Sequence, residues 1–373
     1  MEEKRCIFHI PNYIDLNGTS GSSVRPMKML HAFEKIGYKV DYVMWYGKER
    51  KKQIKNIKKN IKNGIQYSFV YSESSTMPTL LTEKNHIPFH PFLDFHFIRF
   101  CRKNEMKVGL YYRDIYWRFP SYGENMSNLK KKISIAFYRY DFKKYKELLN
   151  IIYLQTIAMG DYFPKIGQTI TKKMLPPGCD VQEEIIEQRK MYYKNNLQEE
   201  GLNIFYVGGI GTLYDITPIL EATSKKEYIK LTICCRREEW EKYKPKYNKY
   251  LNSRISIVHA SSKELAKYYK EADICSLYFP EEEYRNFVLP IKLFEYLSYV
   301  TPIIVTKGTQ AAKFIVENDI GWEIPYKQEE LERTLDTIHN NKELLKEKHQ
   351  NMISVLSKNT WEERAKQVEK DLI

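Results

Sequence analysis

Short apolar runs alternate with longer amphipathic stretches along the whole chain. "CIFHI" (6–10) reads as a strand and "PNYIDLNGTSGSS" as a Gly/Ser loop. "VRPMKMLHAFEKI" then reads as a helix, with Pro26 near its start and Gly37 past its end. "YKVDYVMW", "KVGLYY" and "NIIYLQT" continue as strands of the first half. The second half keeps the rhythm with "NIFYVGG", "YIKLTICC", "ISIVHA", "ADICSLYF" and "TPIIVT", one intervening helix being opened by Ser261 and Glu264 as a capping box. Apolar, β-branched strands separated by helices predict parallel sheets covered on both faces. Two such sets predict an α/β chain of two doubly wound, Rossmann-like domains, their sheets facing across a cleft where ligands meet the carboxyl ends of the strands. The turn-rich "LPPGCD" and the polar stretch 182–202 divide them into domains 1–178 and 179–357. The amphipathic closing helix, within 358–373, is expected to complete the first.

Composition narrows the classes. The 373 residues, 43% hydrophobic and 29% charged, suit a globular protein of two domains. No apolar run approaches the ~20 residues of a membrane helix. The sequence enters its first strand at once, so no signal peptide is expected. Six cysteines without a CxxC pair indicate neither zinc nor a disulfide framework. A reduced, cytoplasmic setting is expected, with the sequons at Asn17 and Asn125 unused. Charge is lopsided: residues 1–150 hold 28 Lys and Arg against 14 Asp and Glu, whereas the chain as a whole carries +13. A one-sided basic face suits an anionic membrane surface, or consists of solvated helix faces. No nucleic-acid-binding motif accompanies it, so nucleic acid is not an expected partner.

Several stretches carry candidate chemistry. In "FVLPIKLFEYLSYVTPIIV" (287–305), Pro290 opens a helix running to about Tyr299, with Ile291, Phe294 and Leu297 as its buried stripe. Lys292 and Glu295 lie three apart on a neighbouring face. At the carboxyl edge of a sheet the positive end of the helix dipole favours phosphate, and a carboxylate one turn in can accept two ribose hydroxyls. The same spacing also describes a surface ion pair worth tenths of a kcal/mol. "GGIG" (208–211) ends a strand, and Gly208 and Gly209 let backbone approach a ligand there or simply form a tight turn. "YYRDIYWRF" (111–119) places Arg113 and Asp114 just after a strand, as a general base with its neighbour or as a structural pair. The loop containing Gly18, Gly21 and Ser22 leaves space for a substrate. No Asp-x-Asp occurs, so no metal–diphosphate clamp and no metal site are expected.

"LPIKLFEYLSYVTPII" resembles the "PxKxxEYxxxGxPxI" segment of GT-B glycosyltransferases (glycosyl transferases group 1), especially the family 4-like group. "GTSGSSVRPMKMLHAFEKIGYKVDYV" is similar to that family's first Gly-rich loop and helix, with Arg25 in its usual place. "LPPGCD" is similar to the joint between its domains, "NIFYVGGIG" resembles the opening strand of its nucleotide-binding domain, and the closing helix looks like the one that crosses back. The likeness extends along most of the chain.

The resemblance implies transfer of a sugar from a nucleotide-diphosphate donor, the donor substrate standing in place of any cofactor. Glu295 would hold the donor ribose, and His259 sits where members contact the base. Two departures stand out. Phe287 occupies the position, eight before Glu295, of the glutamate that faces the donor sugar. The Arg and Lys expected after the "VGG" strand are missing, since the segment reads "GIGTLYDI". Candidates for neutralising the leaving diphosphate are Arg285 beside Asn286, Lys292, and Arg236 with Arg237. Asp114 and Arg113 would serve the acceptor side. The expected activity is glycosyl transfer to a glycan or lipid-linked acceptor in bacterial surface polysaccharide or glycolipid synthesis, metal-independent and retaining, at the inner face of the plasma membrane. A transferase acting on protein or soluble glycan, and a non-catalytic nucleotide-sugar-binding subunit, are the alternatives.

Overall fold

The computed structural model describes residues 3–16, 21–195, 201–261 and 264–373. Contacts divide the chain into two compact units, Met1–Gly178 with Trp361–Ile373, and Cys179–Thr360.

The N-terminal unit contains β1 (Arg5–His9), α1 (Gly21–Lys35), β2 (Lys39–Val43), α2 (Gly47–Lys62), β3 (Phe69–Glu73), α3 (Leu93–Lys103), β4 (Lys107–Tyr111), α4 (Asn128–Leu148), β5 (Ile151–Leu154) and β6 (Lys172–Met174). All its strands are parallel, in the order β2-β1-β3-β4-β5-β6. The second unit begins with α5 (Glu183–Asn195) and β7 (Leu202–Val207), followed by α6 (Thr217–Lys225), β8 (Ile229–Cys234), α7 (Arg237–Tyr247) and β9 (Ile255–Val258). It continues through α8 (Leu265–Glu271), β10 (Ile274–Leu277), α9 (Ile291–Ser298), β11 (Ile303–Thr306), α10 (Gln310–Glu317), β12 (Gly321–Ile324), α11 (Gln328–Asn340) and α12 (Glu343–Ser357). Its parallel order β12-β11-β10-β7-β8-β9 reverses direction between β7 and β10, the point at which doubly wound sheets open a crevice for ligands. The last helix, α13 (Trp361–Leu372), returns to pack on α1 of the N-terminal unit.

Three of these strands were not among those the hydrophobic pattern marked. β6 and β12 are short edge strands, "KKM" and "GWEI", whose lysines, Trp322 and Glu323 are only half-buried, so neither contains an apolar run. β3 lies inside the sheet, yet it ends in Tyr71, Ser72 and Glu73, all fully buried. Burying polar groups costs several kcal/mol unless each is partnered, and here the partners come from distant segments. His9 Nδ1 meets Ser72 Oγ at 2.8 Å, and its Nε2 meets Asp94 at 3.0 Å. Arg50 then closes on Asp94 at 3.0 Å. Glu73 accepts from Arg113 at 2.8 Å and from the Tyr71 hydroxyl at 3.0 Å, with Arg25 Nε at 3.5 Å.

The buried Asp141 of α4 is less well served. Its Oδ2 accepts the Thr79 backbone N–H at 2.8 Å, while its buried Oδ1 has no partner among the described residues. Burial pushes this carboxyl up from 3.8 to about 7. Below pH 3.8 both folded and unfolded chains are protonated and no cost arises. Between that value and about 7 only the unfolded chain ionises, so stability falls as pH rises, by roughly 4 kcal/mol in total. Asp141→Asn is therefore expected to flatten this slope and to exceed the wild type in stability at pH 8, as read from denaturant unfolding across the pH range. Parallel curves for the two proteins would contradict it.

Candidate functional site

The C-terminal unit assembles its candidate site at the carboxyl edge of β7 and β10. Glycine is required after β7 at two places. A Cβ on Gly208 would stand 2.7 Å from the Tyr206 hydroxyl, and Gly211 has φ +136° with the Tyr243 ring 2.6 Å from where its Cβ would be. Gly209 is not so constrained: the nearest atom to its Cβ position is a Glu239 carboxylate oxygen at 3.5 Å. That same carboxylate accepts the Ile210 N–H at 3.2 Å and the Arg236 guanidinium at 2.9 Å. Glu239 gave no signal in the sequence, because an acid in the first turn of α7 is ordinary helix chemistry.

Opposite this loop, after β10, Arg285 ties the two segments together. It donates to the Pro280 carbonyl on its own loop and to the Leu213 carbonyl on the other. Its guanidinium lies 5.5 Å from the Tyr214 ring centre and 5.3 Å from that of Phe279. Burial lowers its pKa. Asn286 lies on a neighbouring depression of ≈ 540 Å³ that is also lined by Glu281, Glu283, Lys307 and Thr309. Phe287 is fully buried, its ring 5.1 Å from that of Tyr284. An apolar plug therefore fills the place where the resemblance would have an acid.

Helix α9 begins just past this loop, with Pro290 as its N-cap. Its buried side is Leu293, Phe294, Tyr296 and Leu297; Ile291 is only half-buried, so the core-facing stripe differs from the expected one. Glu295 is 29% exposed and Lys292 30%. Lys292 donates to Glu295 Oε2 at 2.6 Å, and the hydroxyl of the buried Tyr269 on α8 donates to Oε1 at 2.9 Å. The Tyr269 ring in turn stacks on Tyr299 at 4.1 Å. Both carboxylate oxygens are thus oriented from within the protein, and each keeps a second lone pair for an incoming hydroxyl.

The remaining candidates are more scattered. His259 is exposed, and its Nδ1–H donates to the Cys235 carbonyl at 2.8 Å. Arg236 and Arg237 are exposed at the start of α7. In the N-terminal unit, Arg113 is paired with Glu73 and not with Asp114. Of the two readings, the structural Arg113–Asp114 pair gives way to the stronger pull of a fully buried carboxylate. Asp114 instead accepts the Tyr116 N–H at 2.7 Å, shaping the turn after β4. Gly18 lies outside the described residues, and at the start of α1 only the backbone of Gly21 and Ser22 is described. Among the described residues no group of three or more His, Cys, Asp or Glu is placed to hold a metal ion.

A family model for glycosyl transferases group 1 matches residues 187–355, which include the β7 loop, Arg285, Lys292 and Glu295. This segment belongs to the glycosyl transferases group 1 family. The chain is accordingly a glycosyltransferase, and solved structures show that its two sheets form the GT-B fold. HepE of Anabaena in complex with UDP aligns with TM-score 0.63 at 9% identity, over 98% of this chain and 99% of that one. Sucrose-phosphate synthase from Thermosynechococcus elongatus aligns with TM-score 0.61 at 13% identity, over 98% of both chains. WaaG, a glycosyltransferase involved in lipopolysaccharide biosynthesis, aligns with TM-score 0.59 at 14% identity, over 98% and 99%. At these identities the likeness is one of fold. No curated protein matches the glycosyltransferase by sequence. Among its described residues no helix is long and apolar enough to cross a membrane.

Proposed function

We propose that this glycosyltransferase moves a sugar from a nucleotide-diphosphate donor, bound by the C-terminal unit, to a glycan or lipid-linked acceptor met by the N-terminal unit. The product belongs to bacterial surface polysaccharide or glycolipid synthesis, and the enzyme works at the inner face of the plasma membrane. Transfer retains anomeric configuration, which NMR of the product's anomeric proton tests, and needs no divalent ion.

The observation that carries the donor assignment is Glu295, held by Lys292 and Tyr269 near the start of a helix at the ligand-binding edge of the sheet. UDP is the first diphosphate to test, since HepE is described in complex with UDP and with UDP-glucose. The reading further assigns Gly208 and Gly209 to the diphosphate, His259 to the base, and Asp114 with Arg113 to the acceptor side. Arg285 has the more confined part: its two carbonyl bonds tie the two loops to one another.

Titration calorimetry with UDP tests the assignment. Glu295→Ala is expected to weaken binding by about 1–3 kcal/mol, roughly 5- to 150-fold, with unchanged circular dichroism and with the same result in EDTA. An unaltered dissociation constant would return Glu295 to the status of a surface ion pair.

A further inference from the structure

Helix α4 carries a second face that neither the core nor the proposed chemistry uses. Phe95, in the first turn of α3, packs on Tyr140 and Tyr145 of α4 at 5.8 and 6.1 Å between ring centres. The first turns of α4 therefore run past the start of α3, by roughly 15 Å. Their inner side is covered by the segment after β4, through Trp117 stacked on Tyr138 at 4.8 Å and the Tyr122 hydroxyl on Ser134 at 2.6 Å. Their outer side is open. Leu129 is 69% exposed and Ile133 43%, one helical turn apart, and Met126 just before the helix is 46% exposed.

At helical spacing beside this apolar stripe stands a column of exposed cations, Lys132, Arg139, Lys143 and Lys146. The one acid on the outer face, Glu147, is bonded to Arg99 and Lys144. A helix with three sides, core-facing, apolar and cationic, matches a surface that is anionic with hydrocarbon beneath it. A nucleic acid backbone would use the cations but offers nothing to exposed Leu and Ile.

We propose that the outer face of α4, with Met126, docks this unit onto an anionic lipid bilayer, the aliphatic side chains entering the acyl boundary and the cation column lying on the headgroups. α4 begins at the carboxyl edge of the N-terminal sheet, so docking brings that edge to the membrane. The inference deepens the proposal of a lipid-linked acceptor, and it requires nothing of the donor chemistry.

The test is co-sedimentation of the full chain with phosphatidylcholine vesicles that contain or lack phosphatidylglycerol, with UDP binding measured in parallel. Binding to the anionic vesicles alone is expected. Leu129→Ser with Ile133→Ser should reduce it by about tenfold or more, and Lys132→Glu, which keeps the apolar stripe, by at least fivefold. UDP affinity should stay unchanged in both. Equal binding to neutral vesicles, indifference to both variants, or retention on nucleic acid without retention on vesicles would each overturn it. Loss of UDP binding by the wild type with vesicle binding intact would instead sink the donor assignment and leave the docking face standing.

Discussion

Replacing Glu73 by alanine is expected to lower the stability of the N-terminal unit by about 3–5 kcal/mol, because it strands two guanidinium groups in the protein interior. Glu73 is fully buried, Arg25 is 4% exposed, and the Arg113 side chain keeps only 10% of its surface. Arg25 spreads its guanidinium 3.5 Å from the Tyr111 ring centre and reaches the Tyr71 hydroxyl at 3.4 Å, but its charge is balanced by Glu73. Glu73→Gln keeps the shape and the acceptor while removing the charge, so it separates lost volume from lost charge. Denaturant unfolding, followed with hydrogen exchange resolved to β3 and β4, reads the effect in the right unit. A loss below about 1 kcal/mol would mean that water reaches the pair and solvates it, as at a surface ion pair.

The second large effect is expected at Lys292. Lys292→Ala should lower kcat/KM by about 10²–10³, since one well-placed charge at a leaving group contributes roughly 3–4 kcal/mol. Lys292 and Arg285 were equal candidates for meeting the diphosphate. Geometry separates them: the Arg285 guanidinium is tied to the carbonyls of two loops and set against the Tyr214 and Phe279 rings, whereas the Lys292 ammonium spends only one of its three N–H groups, on Glu295, and is 30% exposed. Lys292→Arg should recover part of the loss, which a mere packing role would not allow. Steady-state kinetics with a nucleoside-diphosphate sugar checks this; a change confined to KM would place Lys292 in ground-state binding instead.

These expectations differ in how visible their residues were in the amino-acid sequence. Lys292 and Glu295 could be singled out because a helix that starts with Pro290 between two apolar strands leaves few places for charge. Tyr269 could not, because a tyrosine in "LAKYYKE" looks like any partly buried aromatic until α8 is packed beside α9. Glu73 was invisible for a related reason. An acid at the end of "FVYSE" is normally a solvated strand end, and only the arrival of Arg25 from α1 and Arg113 from the β4 loop makes its burial affordable. Val300 shows the opposite case. It stands where the resembled motif has glycine, and it adopts φ +46° all the same. The last turn of α9 is closed there by bonds from Val300 N–H to the Leu297 carbonyl and from Thr301 N–H to the Tyr296 carbonyl. Full burial of Val300 offsets the strain of a left-handed valine.

What the chain determined by itself is its periodicity. Apolar stretches of strand length alternating with helical ones leave a parallel, two-sided sheet as the way to bury both faces, and that follows from local pattern alone. Which charges would be buried together, and which arginine would be tied between two loops, depended on segments tens of residues apart meeting across strand ends. Such pairings carry no periodic signature, because a side chain reaches a partner through space and not along the chain, so only the folded molecule could decide them.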